Sequence, residues 1–286
     1  MRSSITSGNP AVTISFQYPK SLNQQITNSV FSGLVSNQNT IPDIQYQVIF
    51  KAGKYLLFRN NRQTHQNRSV NRIIYDLEWQ VVADILRNFK TELKFHAASL
   101  SFQQEGYLFI GNSGTGKTSL SMTLMQQGWQ LLSDEFGLLN PINFKVYPFP
   151  RNILIKPHHP INRQEKENYL SIRIKTNHQT NTIYYFPPSY FGQISTTQVP
   201  LKKIFFLHPV APEFYKIKAM GQRETTENLL RSISNSRVIK ANFEQFISNL
   251  FERAKVYELF LPNPFNLPPK VLKKLSNQLV QEIPKC

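Results

Sequence analysis

Residues 111–118 constrain the fold of this chain more than any other segment. They read Gly-Asn-Ser-Gly-Thr-Gly-Lys-Thr and match the pattern GxxxxGK[ST]. An apolar run at residues 107–110 precedes them, and apolar residues within 120–125 follow. A glycine-rich turn between a buried strand and a helix N-terminus directs backbone N–H groups onto a polyphosphate. The segment therefore predicts a phosphate-binding loop in an α/β fold.

Each position of this motif has its own chemical role. Lys117 adds a positive charge for the β- and γ-phosphates, and Thr118 offers a hydroxyl to the Mg²⁺ that accompanies ATP. The alternative, a glycine-rich turn before an ordinary helix, gives no reason for the lysine. The predicted nucleotide-binding residues are Gly111, Asn112, Ser113, Gly114, Thr115, Gly116, Lys117 and Thr118.

Two adjacent acids, Asp134 and Glu135, follow a short apolar strand at residues 131–133. One helix and one turn fit between them and Lys117, so we expect the carboxylates at the same sheet edge as the glycine loop. One of them can bind Mg²⁺ with Thr118, and the other can accept the proton of an attacking hydroxyl. The sequence leaves open which acid is the base, and the alternative is a solvated end of a strand.

Composition limits the class of protein. The 286 residues are 40% hydrophobic and 17% charged, which excludes intrinsic disorder and a coiled coil. The single cysteine, Cys286, provides neither a disulfide framework nor a zinc site. The N-terminus lacks the apolar core of a signal peptide, and no run approaches the roughly 20 apolar residues of a membrane span. We therefore expect a cytoplasmic protein.

The net charge is +16, and most of the excess lies in residues 151–286, with twenty Lys/Arg against nine Asp/Glu. A basic surface suggests an anionic partner, such as a nucleic acid, an acidic peptide, phosphates or a membrane face. The sequence contains no RRM, KH, zinc-finger or basic-zipper pattern, so specific nucleic-acid binding is not favoured.

The first 94 residues predict a small α+β region. Alternating apolar residues indicate strands at 12–18 and 44–50, with another at 55–58. Helical spacing indicates a helix over 77–89 with Asp76 as its N-cap. Residues 60–72 are predicted to be a loop.

Residues 95–286 predict a second, larger domain. Amphipathic helices are expected at 243–251 and 272–283. Strands and helices are mixed, which indicates an α/β fold whose sheet need not be wholly parallel. The predicted strands are residues 95–102, 107–110, 153–155, 172–174, 182–186 and 203–207.

The run from His96 to Phe136, HAASLSFQQEGYLFIGNSGTGKTSLSMTLMQQGWQLLSDEF, resembles the catalytic core of the HPr kinase/phosphorylase superfamily. It is most similar to the shorter HPr-kinase-related serine kinases, which include lasso-peptide tailoring kinases. The resemblance implies a P-loop kinase core related to ATP-dependent phosphoenolpyruvate carboxykinase, with ATP and Mg²⁺ as cofactors and a serine hydroxyl as acceptor. It also implies catalytic roles for His96, Lys117, Asp134 and Glu135, and metal binding by Thr118 and the acidic pair.

The chain departs from the family pattern at two places. Glu135 stands where the bifunctional enzymes have a second aspartate, and their downstream magnesium-binding glutamate has no counterpart here. That segment carries Arg151 and Lys156 instead. We predict that Arg151 is catalytic, because its fork of donors suits a γ-phosphate or an acceptor carboxylate; the alternative is an exposed cation. His158 and His159 are interpreted as loop residues and not as metal ligands.

The sequence therefore predicts an ATP-dependent serine kinase that acts on a peptide or small protein, such as an acidic natural-product precursor peptide. Two alternatives stay open at this point. One is a kinase of a free amino acid or small metabolite, and the other is a switch that binds ATP without transferring phosphate. Self-association into a homo-oligomer also stays open.

Overall fold

The computed structural model describes residues 2–7, 11–23, 26, 35–36, 41–176, 179–211, 215–239 and 242–281, and all structural statements concern these residues. They form a mixed α/β structure, as predicted. The chain divides into two compact units. Unit 1 comprises Met1–Lys90 and Arg151–Pro187, and unit 2 comprises Thr91–Pro150 and Pro188–Cys286.

The strands, in chain order, are β1 (Arg2–Ser7), β2 (Val12–Gln17), β3 (Val35–Ser36), β4 (Ile44–Lys51), β5 (Lys54–Arg59), β6 (Arg62–Asn67), β7 (Leu93–Phe102), β8 (Glu105–Ile110), β9 (Gln130–Ser133), β10 (Phe136–Leu139), β11 (Lys145–Tyr147), β12 (Ile153–Ile155), β13 (Leu170–Thr176), β14 (Gln179–Phe186), β15 (Val199–Pro209), β16 (Lys216–Ala219) and β17 (Lys255–Leu261). The helices are α1 (Val70–Asn88), α2 (Lys117–Met125), α3 (Arg163–Glu167), α4 (Gln222–Ser232), α5 (Phe243–Arg253) and α6 (Pro269–Val280).

Unit 1 contains a six-stranded sheet in the order β3-β1-β2-β4-β5-β6. The strands predicted from alternating residues are confirmed as β2, β4 and β5. Strands β2 and β4 pair in parallel, and the neighbouring pairs are antiparallel. Inward-facing side chains such as Tyr46 and Leu57 are almost fully buried. This explains why apolar and polar residues alternate along these strands in the sequence.

Helix α1 contacts β5 and β6 and begins at Val70, with Ser69 as its N-cap. The predicted N-cap, Asp76, is wrong: this residue lies inside the helix and forms an ion pair with Arg72 at 3.0 Å. The apolar stripe continues upstream of it to the buried Ile73. The loop predicted at residues 60–72 is also wrong, because that segment contains β6 and the first residues of α1.

A second, three-stranded antiparallel sheet in unit 1 has the order β12-β14-β13. The Tyr185 hydroxyl on β14 donates a 2.6 Å hydrogen bond to Glu78 of α1. This buried contact joins residues 151–187 to α1, whereas the sequence placed them with the domain at 95–286. The boundary near residue 90 lies close to the predicted one at residue 94.

The loop between β12 and α3 contains a titratable histidine. Burial, together with the charge of Lys166, lowers the pKa of His159 to about 4. The Lys166 ammonium donates to the backbone carbonyls of Pro157 and His159 at 2.7 and 2.6 Å. Because the folded state favours neutral His159, this contribution to stability is present above the unfolded pKa of about 6.5 and is lost as pH falls towards 4.

We therefore expect His159→Asn to reduce the loss of thermal stability between pH 7 and pH 5. Melting temperatures at the two pH values measure this effect. His65→Asn, which changes an exposed imidazole of the same unit, is the matched control and should behave as the wild type. Equal pH dependence in the wild type and the His159 variant would contradict the prediction.

Unit 2 contains a mixed eight-stranded sheet with the path β11-β10-β7-β8-β15-β17-β16, and β9 pairs with β7. Strand β15 runs parallel to both β8 and β17. The other pairings of this sheet are antiparallel among the described strands, so the predicted mixed sheet is confirmed. The carboxyl ends of β8, β15 and β17 meet at one edge, which places the segments after them side by side.

Aromatic side chains fill the core beneath this sheet. Phe205 stacks between Phe109 and Tyr257, with ring centroids 5.3 and 5.4 Å away. Trp129 is fully buried, and its indole N–H donates to Ser276 of α6 at 2.8 Å. The predicted C-terminal helices are confirmed as α5 and α6, while Ile283 and Cys286 lie outside the described residues. Within the described ranges, no helix combines the length and apolar content needed to cross a bilayer.

Candidate active site

The glycine-rich loop lies between the end of β8 and the start of α2. Gly114 and Gly116 have φ angles of +87° and +91°, which side chains rarely tolerate. Gly111 is needed for a different reason: a Cβ there would lie 2.5 Å from the Thr115 hydroxyl oxygen. That hydroxyl donates to the Asn112 carbonyl at 2.9 Å and closes the turn.

Lys117 occupies the centre of this loop and is 7% exposed. Its ammonium donates to the backbone carbonyls of Gly111 at 2.7 Å and Asn112 at 2.9 Å. Its third contact is Nε2 of His96, at 3.1 Å. An ammonium has three hydrogens and no acceptor, so these contacts use all three donors and hold the charge at the mouth of the loop.

His96 lies on β7 and must accept the hydrogen bond from Lys117. Burial and the charge of Lys117 both lower its pKa, while Glu135 opposes them. Lysine ordinarily titrates roughly four pKa units above histidine. The pair is therefore a charged ammonium and a neutral imidazole whose Nε2 carries no proton.

Thr118 and Asp134 face each other across the site. The Thr118 hydroxyl donates to Oδ2 of Asp134 at 2.9 Å. Asp134 follows β9 and is 8% exposed. Burial lowers the pKa of Lys117, and the charges of Asp134 and Glu135 oppose this shift. Both acids are thus within electrostatic reach of the ammonium.

Strand pairing assembles these groups. Strands β9 and β10 both pair with β7, so the turn that carries Asp134 and Glu135 lies over the middle of that strand. The Ala97 N–H donates to the Glu135 carbonyl at 3.2 Å, one residue beyond His96. The structure therefore brings His96, Lys117, Thr118, Asp134 and Glu135 together.

Arg151, the remaining predicted catalytic residue, lies in unit 1, whereas the five residues above lie in unit 2. It is 3% exposed, with a guanidinium nitrogen 3.7 Å from a Glu78 carboxylate oxygen. Its guanidinium also lies 6.0 Å from the ring of Trp79. The alternative of an exposed cation is wrong, because the side chain is buried.

One neighbour of the glycine loop was not predicted from the sequence. The turn Pro264–Asn266 follows β17, and a Cβ on Gly116 would lie 3.8 Å from Pro264. The available signal was the apolar run of β17 followed by Pro-Asn-Pro, since loops after parallel strands share one edge. The turn therefore borders the same site as the glycine loop.

Among the described residues, no group of three or more His, Cys, Asp or Glu side chains is arranged to hold a metal ion. This concerns sites made wholly by such side chains. Thr118 and Asp134 supply two oxygens, and Mg²⁺ in nucleotide sites usually takes only one or two protein ligands besides phosphates and water.

No protein-family model matches the chain, and no curated protein matches it. Among solved structures, the chain is similar to the HPr(Ser) kinase/phosphatase from Coxiella burnetii. The identity is 15% and the TM-score 0.29, over 65% of this chain and 93% of that one. At these values the likeness is distant.

Proposed function

We propose that this protein is an ATP-dependent phosphotransferase that uses residues 111–118 as a phosphate-binding loop. The observation that carries the proposal is the 2.9 Å hydrogen bond between Thr118 and Asp134, beside an ammonium held by the carbonyls of the loop. Burying a lysine and a carboxylate is unfavourable in a turn that binds no ligand. A triphosphate and its metal ion give both charges a function, because the lysine binds phosphate and the carboxylate binds the metal ion.

The oxygens of Thr118 and Asp134 fit a magnesium site. A hydroxyl and a carboxylate are oxygen ligands of the kind that Mg²⁺ prefers, and the hydrogen bond between them already brings the two oxygens together. Bound there, Mg²⁺ would neutralise charge on the phosphate oxygens.

The two acids differ in their surroundings, and this suggests different roles. Asp134 is buried and bonded to Thr118, which suits metal binding. Glu135 is half-buried and interacts electrostatically with His96 and Lys117. We therefore assign Glu135 as the base that takes the proton of the acceptor hydroxyl.

Several residues of the chain then have separate roles in phosphoryl transfer. The hydroxyl oxygen of the acceptor attacks the γ-phosphorus, the bond to the β,γ-bridging oxygen breaks, and the proton passes to Glu135. Lys117 stabilises negative charge on the γ-phosphoryl oxygens. Neutral His96 accepts from Lys117 and so positions the ammonium. Arg151 remains a prediction as a catalytic residue.

The acceptor that we propose is a serine hydroxyl on a peptide or small protein in the cytoplasm. The net charge of +16 suits an acidic acceptor. A free amino acid or metabolite is the alternative acceptor within the same chemistry.

The proposal is tested by incubating the protein with Mg²⁺, γ-labelled ATP and a pool of serine-containing peptides, with free serine in a parallel reaction. Label transferred to peptide supports the proposed acceptor. Label transferred only to free serine would support a small-molecule kinase. ATP binding without transfer to either acceptor would support the non-catalytic switch and contradict the phosphotransferase.

A further inference from the structure

A pocket of about 510 Å³ opens in unit 1 between α1 and strands β4, β5 and β6. Its volume falls within the roughly 300–1,000 Å³ of ordinary ligand pockets. Tyr75, Trp79 and Ala83, spaced four residues apart on one face of α1, contribute to its lining. Elsewhere α1 buries apolar residues such as Leu77 and Val81. The aromatic and small side chains on the first face are partly exposed, so a ligand in the pocket could contact them.

A buried carboxylate organises the charged part of this pocket. Asp84, with a side chain 2% exposed, accepts from the Tyr46 hydroxyl at 2.6 Å and from Arg87 at 2.7 Å. Arg59 donates to it twice, at 2.7 and 3.1 Å. A carboxylate offers about four acceptor positions, so Asp84 is saturated.

Arg59 and Arg87 have more N–H donors than their hydrogen bonds to Asp84 use. Among the described residues, the hydrogen bonds of Arg59 use Nε and one terminal nitrogen, and those of Arg87 use one terminal nitrogen. The Arg87 side chain is 74% exposed. Asp76, the other acid of the lining, pairs with Arg72 at 3.0 Å, so three guanidiniums stand against two carboxylates and the local charge is positive. The remaining donors of Arg59 and Arg87 suit an anionic group of a ligand.

Strand β6 is the outer strand of the sheet on this side of the pocket. In the described part of the chain it pairs with β5, and residues 62–66 are all exposed. The free side of an edge strand presents alternating N–H and C=O groups to which an extended peptide can add. His65 lines the pocket, so edge and pocket are continuous. We call β6 with Arg59, Trp79 and Arg87 the β6 surface.

The charge of this surface indicates the chemistry of its partner. Residues 44–75 contain six Lys/Arg and no Asp or Glu. An acidic peptide complements both this charge and the strand edge. A nucleic acid fits less well, because its phosphodiesters accept hydrogen bonds but donate none to the outward carbonyls of β6.

We propose that the β6 surface binds an acidic peptide segment as an added β-strand. A carboxylate of the peptide pairs with Arg59 and Arg87, and an apolar side chain packs against Trp79, which is 40% exposed. Identifying this segment as part of the phosphate acceptor rests on the proposed function. The binding itself does not.

A library of random dodecapeptides selected on the full-length protein tests the recognition. We expect the selected peptides to contain Asp or Glu beside aliphatic or aromatic residues. A fluorescein-labelled copy of the most enriched peptide then measures affinity by anisotropy. Arg62→Glu and Arg87→Gln, both at exposed positions, should each weaken binding by about tenfold. Arg173→Glu, at an exposed position of β13 in the same unit, is the matched control and should leave binding unchanged.

Backbone methylation of the same peptide tests strand addition. An added strand turns alternate N–H groups towards β6, so N-methylation of one alternate set should abolish binding and methylation of the other set should be tolerated. Equal affinity of the two methylated peptides would overturn the added strand. Selection without acidic residues, unchanged affinity in both arginine variants, or tighter binding of a twenty-nucleotide single-stranded RNA at physiological salt would overturn the acidic-peptide partner.

Lys117→Ala separates this inference from the proposed function. That variant should bind the labelled peptide as the wild type does, because the β6 surface lies wholly in unit 1 and Lys117 in unit 2. Peptide binding without phosphate transfer in the wild type would contradict the kinase and leave the docking surface supported. Transfer that is unaffected by Arg62→Glu and Arg87→Gln would support the kinase and remove the β6 surface from acceptor recognition.

Discussion

Replacing Lys117 by alanine is expected to lower the rate of phosphoryl transfer by about three orders of magnitude. The ammonium lies at the mouth of the glycine loop, where its charge would meet the γ-phosphoryl oxygens as negative charge develops in the transition state. The measurement is transfer of label from γ-labelled ATP to the acceptor peptide.

Controls must distinguish a loss of catalytic activity from a loss of the folded structure. The alanine variant loses the hydrogen bonds to the carbonyls of Gly111, which is half-buried, and Asn112, which is exposed, and this costs about 1 kcal/mol of stability per bond. Lys117→Met keeps the apolar stem and removes only the charge, so it should be equally inactive and closer to wild-type stability. Lys145→Ala, in the same unit, should retain activity. Full transfer by both Lys117 variants would rule out the proposed loop function.

The parts of the site that are formed by residues close together in the sequence could be predicted from the sequence. Residues 111–118 form one continuous turn, so the motif itself specifies the positions of Lys117 and Thr118. The interval from Lys117 to Asp134 spans a single helix and turn, and the structure places Asp134 beside Thr118. Short segments with strong steric requirements leave few alternative conformations.

Contacts that depend on distant pairing were harder to infer. The resemblance drew attention to His96, but its hydrogen bond to Lys117 follows from the register of β7 with β8 and β10. Arg151 lies near Glu78 because residues 151–187 pack on α1, and no local pattern encodes that choice. The pocket beside α1 was missed for a related reason: a polar and aromatic helix face looks the same in sequence whether it faces solvent or a strand edge.

Replacing each of the two acids by its amide should have a different effect on the kinetics. Asp134→Asn is expected to raise the Mg²⁺ concentration needed for half-maximal activity and to lower kcat at saturating ATP, because an amide is a weaker metal ligand than a carboxylate. Glu135→Gln should leave that Mg²⁺ requirement unchanged and lower kcat by about 10²–10⁴-fold, the usual contribution of a positioned base.

The different effects expected of the two variants follow from the surroundings of each acid. Measuring them tests which acid binds the metal ion and which is the base. Asp134 accepts a hydrogen bond from the Thr118 hydroxyl, so its loss disturbs a ligand pair, whereas Glu135 interacts with the site through its charge and remains half-buried. Titrating Mg²⁺ at fixed ATP for both variants gives the two constants in one experiment. Glu92→Gln, which removes another buried acid of unit 2, controls for a general effect of lost charge. A changed Mg²⁺ requirement in the Glu135 variant alone would exchange the roles, with Glu135 on the metal and Asp134 as the base.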